Sequence, residues 1–174
     1  MHGFCGILSV KKLSIDKRAF IKSINLADTM HIDSASEDNF FSAASFLNKA
    51  PLKGQRIYKK KDLIFLFAGD LIGYKEIPWK EIETNFLNSN FEWFSTLRGL
   101  FAFVIFNKKL KYISLISDHR AQLPVYYGVL DDNFIFSTDL STFTTLKNVP
   151  DFNIEWLFEY MFFNFPIDRT TFLK

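Results

Sequence analysis

The 174-residue chain has little cysteine, little net charge and no long apolar run, and each shortage argues against a class of protein. Its single cysteine cannot form an internal disulfide, so nothing indicates an oxidising compartment. The formal net charge of +2 is too small for a nucleic-acid-binding protein, which concentrates basic residues on one face. No apolar run approaches the roughly 20 residues that span a bilayer, and "GFCGILSV" lacks the charged leader of a signal peptide. These shortages favour a cytoplasmic protein that has neither a membrane nor a nucleic-acid partner.

Histidine and glycine are also scarce, which bears on metals and nucleotides. The three histidines, His2, His31 and His119, are too scattered in the sequence to indicate a metal site. The seven glycines form no phosphate-binding loop. We therefore expect no metal and no cofactor in this segment.

Phenylalanine, in contrast, is abundant. The chain has 22 Phe, six Tyr and three Trp, and 48% of its residues are hydrophobic. A chain of this length suits one domain that buries most of its apolar surface without disulfides. The composition therefore predicts a soluble domain whose core consists of large aromatic rings.

The most organised passage is "LRGLFAFVIFNKKLKYISLISDHRAQLPVYYGVLDDNFIFSTDL", from Leu97 to Leu140. Short polar connections separate four apolar stretches, a pattern that predicts a meander of four antiparallel strands. We expect "SDHRAQLP" to be the turn between two of these strands, with Asp118 and Arg120 paired locally. The meander itself is expected to be core, with Phe101, Phe103, Ile105 and Tyr127 largely buried.

Other elements follow from the spacing of apolar residues. Further strands are predicted at Phe4 to Val10, Phe40 to Phe46, Arg56 to Tyr58 and Leu63 to Phe67. A helix from Ile15 to Met30 is predicted from the spacing of Phe20, Ile24, Ala27 and His31. A short helix followed by a loop is predicted over Lys80 to Phe94. A last helix is predicted from the spacing of Ile154, Leu157, Phe158, Met161 and Phe162. Strands between helices indicate an α+β fold of packed sheets covered by helices.

Three passages resemble the N-terminal domain of glutamine-dependent asparagine synthetases, a class II glutamine amidotransferase domain. The family's patterns L-x-G-x-F-A-F-x-I-x-D and R-D-x-x-G-x-x-P-L-Y-Y are matched at Leu97, Gly99, Phe101, Ala102, Phe103, Ile105, Asp118, Pro124, Tyr126 and Tyr127. "FCGILSV" looks like the family's opening C-G-I strand. "FEYMFFNFPIDRTTFLK" is similar to the helix and linker that lead into an ATP-dependent synthetase domain.

The resemblance implies the four-layer αββα sandwich of N-terminal-nucleophile (Ntn) hydrolases, with two mainly antiparallel sheets. It also implies a domain boundary. Residues 1–150 would be a glutamine amidotransferase type 2-like domain, and residues 151–174 a helix and linker toward a synthetase domain that this sequence does not include. That synthetase domain would be the partner in cis and would use ATP and Mg²⁺.

The resemblance makes Cys5 the candidate nucleophile. Such a cysteine attacks the side-chain amide of glutamine while its own free α-amino group shuttles the proton. Four residues precede Cys5, so it would be catalytic only if processing after Phe4 exposed it. Otherwise Cys5 is expected to be a small buried hydrophobic residue.

The rest of the expected site departs from the family's pattern. In "LFAGDLIGYKEI", Ala68 replaces the asparagine that would donate to an oxyanion, Gly69 keeps the backbone donor, and Asp70 replaces the glutamate that holds the substrate's α-amino group. The R-H-R-G-P-D loop has no counterpart in "DTMHIDSASEDN", and no arginine near "ASFLNKA" would clamp a substrate carboxylate. These departures indicate a degenerate glutaminase.

Three functions stay open at this point. The first is a non-catalytic domain of an ATP-dependent, amide-bond-forming ligase, with lasso-peptide cyclisation as the leading special case and β-lactam synthesis as another. The second is an active glutaminase of an asparagine synthase, matured by removal of residues 1–4, for which glutamine would be the substrate. The third is a stand-alone binding module.

Overall fold

The computed structural model of the protein describes residues 3–13, 15–24, 30–47, 49–130, 132–144 and 153–163. The strands in these ranges are β1 (Gly3–Ser9), β2 (Met30–Glu37), β3 (Phe40–Leu47), β4 (Ile57–Lys59), β5 (Leu63–Leu71), β6 (Gly99–Asn107), β7 (Tyr112–Ser117), β8 (Tyr126–Leu130) and β9 (Asn133–Ser137). The helices are α1 (Lys17–Lys22), α2 (Trp79–Leu87), α3 (Phe91–Thr96), α4 (Ser141–Thr144) and α5 (Ile154–Phe163).

The strands form two antiparallel sheets. One has five strands in the order β2-β3-β1-β9-β8, and the other has four in the order β4-β5-β6-β7. Each strand pairing within them is antiparallel. The expected α+β fold with two antiparallel sheets is confirmed.

Three apolar clusters hold the layers together. Between the sheets lie side chains from both, including Phe4, Phe40, Ile64, Leu66, Val104, Phe106 and Phe136. The outer face of the four-stranded sheet packs on α2 and α3 through Phe65, Phe67, Phe103, Ile82, Phe86 and Phe94. The outer face of the five-stranded sheet packs on α1 through Cys5, Ile7, Phe41, Ala43, Phe20 and Ile24. The layers therefore run helix, sheet, sheet, helix, as a layered sandwich requires.

The expected meander is wrong in its topology. β6 pairs with β7 and β8 pairs with β9, but the two hairpins belong to different sheets. "SDHRAQLP" is therefore a crossover from one sheet to the other and not a turn between neighbouring strands. Phe101, Phe103 and Ile105 are buried as expected, but Tyr127 is 63% exposed, because it lies on edge strand β8.

Asp118 organises this crossover through its carboxylate. The carboxylate accepts the backbone N–H of Arg120 at 2.9 Å, and those of Gln122 and Leu123 at 3.4 Å each. The Asp118 N–H in turn donates to the carbonyl of Phe101 at 2.9 Å. Asp118 and Arg120 therefore pair locally as expected, but through the backbone N–H of Arg120. The side chain of Arg120 is exposed.

The long helix expected from Ile15 to Met30 is wrong at its end, because α1 stops at Lys22 and Met30 lies in a strand. Helix α1 begins after Asp16, whose carboxylate accepts the backbone N–H groups of Arg18 and Ala19. Ala27 lies outside the described residues. Residues 30 and 31 belong to strand β2, an edge strand in which only Ala35 is buried.

Helices α2, α3 and α5 lie close to predicted positions, whereas the short helix α4 was not predicted. The segment from Lys80 to Phe94 contains most of α2 and most of α3, so the part expected to be a loop is largely helical. Helix α5 is confirmed, but it buries no residue. Among the described residues, no helix combines the length and the apolarity that crossing a membrane requires.

Candidate functional site

Cys5 lies in the middle of the five-stranded sheet, with its side chain beneath α1. It is fully buried among Ile7, Phe20, Phe41 and other apolar side chains. Its Sγ lies 3.6 Å from the carbonyl oxygen of Phe20, to which it donates. Burial raises the pKa of the Cys5 thiol strongly, although a hydrogen bond with the backbone of Ala43 works in the opposite direction. The sulfur is therefore a neutral thiol and not the thiolate that a nucleophile requires.

The residue before Cys5 is also part of the fold. The Phe4 ring is fully buried and packs edge-to-face on Phe136 with 6.0 Å between ring centroids. Its carbonyl accepts the backbone N–H of Thr138 at 2.9 Å and the hydroxyl of Ser137 at 3.2 Å. Its own N–H donates to the Thr138 hydroxyl at 3.0 Å. The nitrogen of Cys5 is therefore an ordinary strand amide, flanked by a residue with both core and backbone contacts.

Ala68, Gly69 and Asp70 follow one another in β5. Ala68 is buried between the sheets opposite Ala102, where its methyl group offers no hydrogen-bond donor. Gly69 has φ +103°, and a Cβ at this position would overlap the carbonyl of Leu100. Only glycine fits this backbone, so Gly69 is explained by strand geometry alone. Asp70 is half-buried.

Arg56, to which no sequence motif assigns a role, lies directly beside Gly69. The side chain of Arg56 is fully buried. Its Nη1 donates to the carbonyl of Gly69 at 3.2 Å, and its Nη2 donates to the carbonyl of Leu52 at 2.9 Å. Burial lowers the pKa of Arg56, and the charges of Asp70 and Asp33 oppose that effect.

The structure thus brings some of the predicted site residues together and separates others. Gly69 and Asp70 lie with Arg56, whereas the side chain of Ala68 faces the gap between the sheets. Cys5 packs on the opposite face of the five-stranded sheet, against α1. The only sequence signal for Arg56 was one arginine at the start of a predicted strand, which is not specific.

Metal-binding side chains are not clustered in the part of the chain that the structure describes. No three His, Cys, Asp or Glu side chains in it lie close enough to hold a metal ion.

Comparison with known proteins identifies the family. No curated protein matches the chain. Residues 82–174, more than half of the chain, match the model of a family described as a glutamine amidotransferase domain. This match begins in α2 and includes β6 to β9 and α5. The chain belongs to the glutamine amidotransferase domain family.

Proposed function

We propose that this glutamine amidotransferase domain does not hydrolyse glutamine and is the structural N-terminal domain of an ATP-dependent, amide-bond-forming ligase of the asparagine-synthetase type. The observation that carries the proposal is the position of Cys5. Its sulfur is buried beneath α1, donates to a backbone carbonyl and has a raised pKa. A thiol in these surroundings is not a nucleophile at neutral pH.

The Ala68–Gly69 pair supports the same conclusion. An oxyanion site needs donors aimed at the position where negative charge develops, and loss of one such donor costs roughly 100- to 1,000-fold in rate. Ala68 has no side-chain donor, and its methyl group fills space between the sheets. This loss would slow any glutaminase reaction even if Cys5 were exposed.

The environment of Arg56 also argues against glutamine binding. Clamping a carboxylate takes two parallel N–H groups of a guanidinium that the ligand can reach. The Nη atoms of Arg56 already donate to the carbonyls of Gly69 and Leu52, and the side chain is fully buried. In this conformation Arg56 offers no open fork to a substrate.

Helix α5 supports the architectural role. Its apolar stripe is largely exposed: Ile154 61%, Leu157 48%, Phe158 57%, Met161 71% and Phe162 76%. A contiguous apolar surface of this kind is typical of an interaction site. We propose that it packs against the synthetase domain in cis, which would supply ATP and Mg²⁺ chemistry in the cytoplasm.

Loss of glutaminase chemistry also bears on the class of ligase. A ligase whose acceptor amine comes from its own substrate needs no ammonia from glutamine. Lasso-peptide cyclisation, in which a peptide amine attacks an activated carboxylate, is the leading special case.

The test of the catalytic part is glutamate release from glutamine by the purified protein and by its Cys5→Ala variant. We expect no release from either protein. Release that depends on Cys5 would refute the proposal and support the alternative, an active glutaminase exposed by removal of residues 1–4. Intact-mass measurement in the same experiment shows whether the chain begins at Cys5.

The ligase part has its own test in whether the gene encodes a further domain after Lys174. An S-G-G-x-D pyrophosphate loop there supports the synthetase domain. A natural protein without one would favour the stand-alone binding module.

A further inference from the structure

Arg56 is a buried cation whose contacts come from both sheets. Its guanidinium carbon lies 5.3 Å from the centroid of the Phe46 ring, on β3, and 5.2 Å from that of the Phe67 ring, on β5. Its backbone N–H donates to the carboxylate of Asp33, on β2, at 2.6 Å. Because β2 and β3 belong to the five-stranded sheet and β5 to the other, this one residue joins the two sheets at one edge of the sandwich.

The same side chain ties a loop to β5. The segment 49–56 leads into β4, and Arg56 donates within it to the carbonyl of Leu52 and outside it to the carbonyl of Gly69. The N–H of Leu52 reaches the carboxylate of Asp70 at 3.4 Å. The loop is therefore held at two points against Gly69 and Asp70.

Stability alone does not explain an arginine at this position. Taking a guanidinium out of water is costly, and apolar residues of similar volume often serve a core equally well. The Nε of Arg56 also has no hydrogen-bond partner. An arginine adds a planar, rigid guanidinium group between two aromatic rings. This group can make all of its contacts only when the loop, β5 and the edge of the other sheet are in place.

We propose that Arg56 is a latch that closes the edge of the sandwich over Gly69 and Asp70. When this edge opens, the contacts of Arg56 break together, Leu52 leaves the apolar cluster beneath α2 and α3, and Gly69 and Asp70 become accessible, while the rest of the three apolar clusters stays packed. The latch does not depend on whether the domain hydrolyses glutamine, so it can fail or succeed independently of the proposed function.

The test is amide hydrogen exchange, read by mass spectrometry on the whole chain. The variant Arg56→Lys keeps the positive charge but loses the planar fork, and Arg98→Lys makes the same change at an exposed position. We expect Arg56→Lys to exchange about tenfold faster or more in peptides covering residues 49–56 and 66–71, because charge-assisted hydrogen bonds are lost there. Exchange in residues 112–117 of β7, which does not pair with β5, should not change, and Arg98→Lys should match the unaltered protein throughout.

Two results would overturn the latch. One is an equal rise in exchange in all peptides, which would make Arg56 an ordinary part of the cooperative core. The other is no change in residues 49–56. If Arg56→Lys does not fold, Asp33→Ala removes only the acceptor on the other sheet, from a half-buried position on an edge strand. It should also accelerate exchange in residues 49–56, and its failure to do so would count equally against the proposal.

Discussion

Replacing Phe4 by alanine tests whether the residues before Cys5 belong to the folded core. Phe4 is fully buried, packs on Phe136 and pairs with Ala44 across β1 and β3. Truncating a buried phenylalanine typically costs about 3–5 kcal/mol, because both apolar burial and packing are lost. The backbone hydrogen bonds of Phe4 to Thr138 do not use its side chain, so the substitution isolates the contribution of the ring.

The assay is urea unfolding of the variant beside the unaltered protein, with thermal unfolding as a second measure. For a protein of this size, each kcal/mol shifts Tm by about 2–4 °C, so a fall of about 6–20 °C is expected. Phe162→Ala is the matched control, because its side chain is 76% exposed, and it should change stability by no more than about 0.5 kcal/mol.

A loss below about 1 kcal/mol for Phe4→Ala would refute this reasoning. It would mean that the ring contributes little to the fold, so that removal of residues 1–4 would cost mainly the backbone hydrogen bonds of Phe4. The active-glutaminase alternative would then regain support. A loss in the expected range makes such processing costly to the fold.

Three further predictions concern the strand and turn residues. Burial raises the pKa of Cys5, so as the pH rises the thiol ionises in the unfolded chain before it ionises in the folded protein. Above about pH 8.5, the unfolding free energy of the unaltered protein should therefore fall relative to that of Cys5→Ala, by up to about 1.4 kcal/mol per pH unit. A constant difference in urea unfolding from pH 7 to 10 would contradict this. Gly69→Ala should destabilise by more than about 1 kcal/mol in urea, because the added methyl group meets backbone; a neutral result would show that β5 and β6 can move apart. Asp118→Ala leaves three backbone N–H groups without their acceptor and should cost about 1–3 kcal/mol in thermal unfolding, whereas exposed Asp62→Ala should have little effect.

Most strands could be predicted because their side chains follow the burial pattern closely. β5 and β6 lie in a sheet that is covered on both faces, so their sequences are almost continuously apolar. β2 gave no such signal, because an edge strand with one buried residue has a mostly polar sequence. The helical spacing seen from Phe20 to His31 was accidental, since it joined α1 to β2, the edge strand of the sheet on which α1 packs.

Which sheet a strand joins could not be predicted from local pattern. β7 and β8 are close in sequence, and a short polar connection usually indicates neighbouring strands. Here the Asp118 carboxylate stabilises a crossover, and Tyr127 on β8 is left exposed. The crossover depends on backbone hydrogen bonds, and the exposure of Tyr127 depends on the position of β8 at the edge of its sheet. Neither feature changes the pattern of apolar residues along the chain.

The candidate site was harder to predict than the fold. The strand containing Ala68, Gly69 and Asp70 was correctly placed, but the orientation of Cys5 toward α1 depends on the register of β1 with its neighbours. Arg56 is buried because it contacts Phe46, Phe67 and Asp33, which lie on three different strands and are not its neighbours in sequence. Spacing along the chain carries no information on such contacts.

The central position of β1 has a consequence for the order of events on the ribosome. β1 pairs with β3 on one side and with β9 on the other, and the second pairing joins residues as far apart as Cys5 and Ser137. Translation at about 5–20 residues per second separates these two strands by roughly 6–25 s. During that interval the Phe4 and Cys5 segment has one free edge and no Phe136 ring beside it. A nascent chain halted before β9 should therefore expose this apolar strand to chaperones, and release of the block should end that binding.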